Sequence, residues 1–531
     1  MICMKKVFIT MGLIGIAILS FAQSSNDIRV LSYERPIGKI LVTQEEIKAK
    51  EYIFPELIYD SYMDTISKSI TVQLRGKNIY GWWMNRGNLV YYDLTAGRIK
   101  WLKDINYIQN SIQHFGSTII ISTINNKSYL LNNENGKRLG KAKNSIYFAD
   151  PVANIYLGYK TKNSNELEGI DLKTGKTIWK RELNKEFGWN EMFRLKDSVL
   201  MIVAAGLHTV NVHDGSGWSY KAKTGEKDYT ATIVGNAVGI TLGLLTGFGS
   251  ITTGHDLVRD IVSNVYSDNT SFYFASKERI SRINKNDGKV IWSYQFPQGL
   301  QSNSFIWAKD NQIFMINYGY AFSGRGEQIY CGTPFFSAFN KENGELIFSH
   351  TFNEKKNPIL DFKIENDHIV LIFKDRIIKC SLFDGSIIFE TSINSNEFGE
   401  LQRFVGNHIY IDETNSSLTN LLLSDVSKSY ITTSKDNVLI FDAEFNVVGD
   451  FNSNQLYRTY AYLKEDYKLV VKGKDNQKIV IDADNKKIAE LDITHVSFMV
   501  GNKLYSMQDK SFFEIDLTNL RDKREESDAE F

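Results

Sequence analysis

The sequence predicts an all-β chain folded as a single β-propeller of four-stranded blades, each about forty residues long. Three features predict it. Aromatic residues make up 13% of the chain, with 27 Tyr and 32 Phe against 6 Pro, a composition that favours strands over helical bundles or Pro-rich linkers. A turn of the form Asp/Asn-x-x-x-Gly recurs through the chain, usually with an aromatic residue four positions after the glycine. Further short apolar runs lie between successive copies, such as 118–123, 127–131 and 311–317, and they supply the remaining strands of each unit.

The elements follow in chain order. Residues 1–22 read as a signal peptide. Lys5 and Lys6 form a positive start, Val7 to Leu19 an apolar core, and Ser20-Phe21-Ala22 a small-residue cleavage site that would leave Gln23 first. The apolar run is short for a membrane span, and Cys3 precedes it, so it does not read as a lipidated cysteine. Cleavage would remove two of 62 basic residues and none of 62 acidic ones, taking the net charge from zero to −2 over 509 residues. So even a balance excludes a nucleic-acid partner held by global positive charge. Residues 23–68 form an N-terminal segment. A strand in it, Ile28 to Tyr33 or Ile40 to Thr43, would complete the last blade and close the ring. Thr43-Gln-Glu-Glu46 has the spacing of a capping box and predicts a short helix. Residues 69–520 form the propeller, with an insertion at 222–256, and 521–531 form a charged, solvated tail.

The repeat reads Asp93 to Gly97 with Trp101, Asp171 to Gly175 with Trp179, Asn284 to Gly288 with Trp292, Asn340 to Gly344 with Phe348, and Ser381 to Gly385 with Phe389. Asn132 to Gly136 keeps the turn without the aromatic residue. His213 to Gly217 reads as a variant, and 442–446 and 482–486 as copies without glycine. The Asp or Asn side chain caps its own turn, and glycine supplies a positive φ without a Cβ clash. Strand alternation puts Ile178 opposite Trp179 and Ile291 opposite Trp292, which predicts outer strands buried on both faces. Glycine spacings of 39, 39, 42, 71, 56 and 41 give regular units, two of them lengthened by insertions. Ten units are counted, although eight is the commoner number for such a motif.

The run Asp171-Leu-Lys-Thr-Gly-Lys-Thr-Ile-Trp179 resembles the repeat of the pyrroloquinoline-quinone-type propeller superfamily, and the likeness extends over most of residues 69–520. The resemblance implies either a quinone-dependent dehydrogenase or a scaffold like the propeller lipoprotein of the outer-membrane assembly machinery. The dehydrogenase branch would bring a quinone against a Trp and a vicinal disulfide, with calcium. Here the only cysteines after the leader are Cys331 and Cys380, and none are adjacent. No cofactor is therefore expected, and the repeat tryptophans read as blade-packing residues. Whether Cys331 and Cys380 are bridged stays open at this point. No metal site is expected either, since His208 and His213 would face opposite sides of one strand.

These readings converge on an exported, non-enzymatic scaffold or binding module whose partners are envelope proteins, in the periplasm, at the outer membrane or secreted. The alternatives are a quinone-dependent or other propeller enzyme with residues gathered at the ring axis, and recognition of a carbohydrate or small ligand by aromatic loops. Two insertions stand out as candidate interaction surfaces. Residues 233–251 carry no charge, and Gly235, Gly239, Gly243 and Gly247 recur every four residues. On a helix they would form a stripe suited to close packing on the ring, on a partner or at a membrane surface. A full span is excluded, because it would put the two halves of the ring on opposite sides of the bilayer. The second insertion, 318–334, sets Tyr318, Tyr320, Phe322 and Tyr330 around Arg325 and predicts an extended hairpin.

Overall fold

The computed structural model describes residues 29–520 apart from 42, 116, 125–126, 140–144, 162–163, 228–256, 325, 353–355, 407, 413–416, 421–426, 464–466, 473–476, 484–485, 494–496 and 519. The leader, the charged tail, the four-residue glycine stripe and Arg325 lie outside the described residues.

Among the described residues the ten units counted in the sequence are ten antiparallel blades. Eight are separate four-stranded sheets, at 58–106, 110–139, 145–182, 191–221, 266–295, 304–351, 361–392 and 401–452. The ninth (456–491) and tenth (497–516) belong to one eleven-stranded sheet. First strands of neighbouring blades approach one another, as Asn110–Phe115 does Ser145–Asp150 and Asp361–Glu365 does Leu401–Phe404, so the first strands line the axis.

The tenth blade has only three strands of its own, and Glu46–Ile53 supplies the fourth, with Ala49 opposite Ile515. Leu31–Ile40 then pairs with Glu46–Ile53 and with Lys487–Leu491, joining the last two blades at their outer edges. The closing strand is therefore neither of the two expected, and the helix expected at Thr43 is absent. Gln44 takes a φ of 59° in a turn, and the chain enters the strand at Glu46. Ile47 and Ala49 are buried while Lys48 and Lys50 are exposed. That period of two buries apolar surface against the ring, which outweighs a local capping signal.

Each interface between blades is an apolar core shared by two sheets. Leu157 and Trp179 of the third blade meet Leu200 and Ile202 of the fourth. Phe336 and Phe352 of the sixth meet Leu371 of the seventh. Val72, Val90 and Tyr92 of the first blade meet Tyr505 and Phe512 of the tenth, and that contact closes the ring.

The repeat motif makes a second joint between blades. Each docked Trp lies on the turn glycine of the next blade and donates its indole N–H to the carbonyl three residues before that glycine. Trp101 donates to Asn133 O, Trp179 to Val212 O and Trp292 to Lys341 O, at 2.8, 2.8 and 2.9 Å. A Cβ placed on Gly136, Gly215 or Gly344 would lie 2.6, 2.4 or 2.5 Å from the ring atoms of those tryptophans. Only glycine fits, by its φ of 63–77° and by this contact. Phe348 sits on Gly385 in the same way.

Three local expectations change. The fourth blade's turn runs from Asn211 to Gly215, where Gly215 N–H meets Asn211 O, so its glycine is two residues earlier than the His213 to Gly217 reading. That register exposes Trp218 as a further docked residue, on Gly288 and donating to Lys285 O. Second, Ile178 and Ile291 are 51% and 47% exposed, because an outer strand has a neighbour on the Trp face and solvent on the other. Third, the glycine-free turn at 442–446 puts Phe445 at a φ of 57°, and Phe389 stacks on it at 6.0 Å instead of on a glycine. Cys331 and Cys380 are separate thiols, and burial pushes the Cys380 thiol up to about 12.

Candidate functional site

A four-stranded meander sends alternate turns to opposite faces of the ring. The Asp/Asn-x-x-x-Gly turns all fall on one face. The turns between second and third strands, and the links between blades, fall on the other. Both insertions singled out in the sequence emerge on this second face, one from the link between blades four and five, the other between the second and third strands of blade six.

They come together as one sheet. Gly225–Lys227 pairs with Leu257–Arg259, which pairs with Tyr320–Ser323, which pairs with Gln328–Tyr330. Val258, Ile261 and Ala321 are its small core. Asp260, at a φ of 64°, anchors it to the ring. Its carboxylate accepts from Asn190 Nδ2 at 2.5 Å, and its carbonyl accepts from Asn303 Nδ2 at 3.1 Å. Burial raises the Asp260 carboxyl above its usual range, against the nearby Arg259 and the Asn190 hydrogen bond. The segment between Lys227 and Leu257, without an acid or base from Tyr229 to Gly254, thus leaves and rejoins the ring at adjacent, paired residues.

The second insertion is a hairpin, as expected. Its aromatic residues divide by position. Tyr318 and Tyr320 stack at 5.3 Å, Phe322 meets Tyr320 edge-on at 5.8 Å, and Tyr318 reaches Phe362 on the axial strand of blade seven. Burial pushes the Tyr320 phenol up to about 12. These three therefore tie the hairpin to the ring, whereas Tyr330, on the sheet's open edge, is 43% exposed.

Beside this sheet a cleft of about 360 Å³ is bounded by blades three, four and five. His208 and Ser219 stand opposite one another on paired strands in it. The imidazole is fixed at both ends, Nε2–H donating to Ala204 O at 2.8 Å and Nδ1 accepting from Ser219 Oγ at 2.9 Å. Burial pushes His208 down to about 4, and the cations Arg181 and Lys221 add to that against the Ala204 hydrogen bond. The ring is therefore neutral at neutral pH, which fixes this tautomer. Arg181 also donates to Ser219 Oγ at 2.7 Å. A weakly basic imidazole and a hydroxyl that accepts from a guanidinium make a hydrogen-bonded joint, poorly matched to activating a nucleophile. Lys223 pairs with Glu278 at 2.5 Å, so the cleft carries both signs of charge and suits polar contacts. Nothing in the sequence marks His208 and Ser219 as a pair, because residues eleven apart meet only through strand pairing.

Among the described residues the donor set does not fit a quinone with calcium. Trp101, Trp179, Trp218 and Trp292 are all docked on backbone. Trp307, near the axis, is stacked with Phe314 and Phe336 on its own sheet and with Phe362. Among the described residues no three His, Cys, Asp or Glu side chains come together as metal ligands.

The repeat resembles that of the pyrroloquinoline-quinone-type propellers. Residues 85–294, from the third strand of blade one through blade five, match the family described as outer membrane protein assembly factor BamB. Solved structures with recorded similarity include BamB from Moraxella catarrhalis, 10% identical over 70% of this chain and 94% of that one, at a TM-score of 0.32. The computationally designed protein Ika8 is 9% identical over 72% of this chain and 96% of its own, at 0.29. Hsv2 of Kluyveromyces lactis is 9% identical over 64% and 94%, at 0.28. No curated protein matches the chain.

Proposed function

We propose that this chain is an exported, non-enzymatic propeller that serves as a docking platform for proteins of the cell envelope. The observation that carries the reading is the match of residues 85–294 to an outer-membrane assembly factor family. Two others support it. The leader at 1–22 has the pattern of an export signal. The ring face opposite the repeat turns carries a sheet made wholly of insertions, with Tyr330 exposed on its edge and the uncharged glycine-stripe segment issuing from it. A rigid ring that presents added loops on one face is suited to holding partners. On this reading Gly235, Gly239, Gly243 and Gly247 are part of the contact surface.

A photo-crosslinking residue at Tyr330, with one at Phe383 on the repeat face as control, tests the platform in native cells. A defined envelope protein joined at 330 and absent at 383 is the expected result. Equal patterns at both sites, or a cytosolic protein that retains Met1, would overturn it. Titration with pyrroloquinoline quinone and calcium should give no saturable complex. A saturable one with alcohol oxidation would replace this reading with the enzymatic alternative.

A further inference from the structure

The first blade carries a projection that neither the repeat nor the docking sheet accounts for. Its second and third strands, Ser69–Lys77 and Trp83–Asp93, have nine and eleven residues, where the corresponding strands of the other blades have four to six. At about 3.3 Å per residue the hairpin stands on the order of 10 Å beyond the blade. It emerges on the same face as the inserted sheet, since its tip is a turn between second and third strands.

The tip is apolar and exposed. Ile79 is 92%, Tyr80 77%, Trp82 73% and Met84 49% exposed, and Ile108 beside its base is 60% exposed. Water-facing placement of so many large side chains on one projection is not explained by packing. The tip is also closed by its own hydrogen bonds. Asn78 Oδ1 accepts from the N–H groups of Tyr80 and Trp82, both at 3.0 Å. Asn78 N–H donates to Trp82 O, and Gly81 N–H, at a φ of 80°, to Asn78 O. At the base, Arg75 lies 4.3 Å from the Tyr59 ring and 5.0 Å from Tyr107 and donates to Met84 O. Lys77 lies over Trp83 at 4.8 Å.

The charge is one-sided. Between Arg75 and Arg86 there are three bases and no acid, and the chain has no Asp or Glu from Thr65 to Tyr92. The acids near the base, Glu56, Asp60 and Asp104, lie around Tyr107 on the ring side.

We propose that this hairpin inserts its tip into the interface of an anionic phospholipid bilayer and orients the ring with its insertion-bearing face toward the membrane. Trp and Tyr favour the headgroup level, Ile and Met the acyl boundary, and a collar of Lys and Arg meets anionic headgroups. The closed N–H groups of the tip matter most. Backbone donors already paired within the turn can leave water without being orphaned, which lipid requires. A protein pocket would gain by pairing with such donors, and here those of Asn78, Tyr80, Gly81 and Trp82 are already spent. The inference stands apart from the proposed protein partner and does not depend on it.

The test uses the protein purified in the form its cells make, with vesicles of pure phosphatidylcholine and vesicles enriched in phosphatidylglycerol. Co-sedimentation should favour the anionic vesicles about ten-fold or more, with a blue shift of Trp emission. The combined variant Ile79→Ser, Tyr80→Ser and Trp82→Ser should lose about ten-fold or more of that binding while melting at the wild-type temperature. Lys77→Glu with Arg86→Glu should abolish the preference for anionic lipid. Wild-type protein that ignores both vesicles, or binding that survives the tip substitutions, would overturn the proposal. So would tip-dependent capture of a purified protein without vesicle binding.

Discussion

The two faces of the ring differ in what their residues do. On the repeat face, Trp179, Trp218 and Trp292 are docked on Gly215, Gly288 and Gly344, with the same indole hydrogen bond each time. On the other face, several blades carry additions that their neighbours lack. One carries a projecting hairpin, two contribute to a sheet of insertions, and a cleft opens beside it. The regular face holds the ring together, and because it does, the irregular face is free to vary. The contrast teaches where to look for function in a repeat protein: away from the motif that reveals the fold.

Substitutions on the two faces should therefore separate stability from interaction. The largest effect is expected at the docked indoles. Trp179→Ala and Trp292→Ala should each lower unfolding free energy by about 3–5 kcal/mol in denaturant melts. Losses below about 1 kcal/mol at both would break the distinction between the faces.

The next effect is a pH dependence. His208 is neutral in the folded protein down to about 4, whereas in the unfolded chain it takes up a proton below about 6.5. The unfolded state then binds more protons, so stability falls as pH drops from about 6.5 to about 4 and is restored as it rises. His114, pushed down to about 3 by burial, adds a loss of the same sign. His208→Gln should flatten the curve by up to about 3 kcal/mol at pH 4 relative to pH 7. A parallel curve for the variant would show that the imidazole is not desolvated.

Gly344→Ala should cost about 1–3 kcal/mol, since the new Cβ meets the Trp292 ring and the residue keeps a φ of 77°. The same substitution at Gly299 should cost less, because φ is 76° there too but nothing lies within 4 Å of the Cβ. The difference between the two melts isolates the docking contact. Smallest of all, Tyr330→Ser and the three tip substitutions at 79, 80 and 82 should change stability by no more than about 0.5 kcal/mol. A larger loss at these exposed sites would mean that the irregular face also supports the ring.

Much of the fold was legible in order along the chain. Asp171 to Trp179 states a turn, a strand and an interlocking residue within nine positions, and repetition turns that local statement into a ring of ten. Legibility faded where the glycine was missing or doubled. In Asn211 to Gly217 two glycines offer two registers, and only the contact of Gly215 with Trp179 selects one. The hairpin at 75–86 had a signal, an acid-free stretch that contains Asn-Ile-Tyr-Gly-Trp-Trp-Met, but exposure is needed to tell an apolar tip from a buried strand.

The order of residues alone specifies the turns, the alternation of the strands and the aromatic residue that each turn must receive, because these depend on neighbours a few positions apart. Tertiary structure decides what depends on distant segments. It chose Glu46–Ile53 over two other N-terminal strands, since closing the ring means pairing with Ser511–Asp516 at the far end of the chain. It merged two insertions some sixty residues apart into one sheet and set His208 against Ser219 and Arg181. Pairing between strands is fixed by the whole ring's packing, and no short window of sequence contains that constraint.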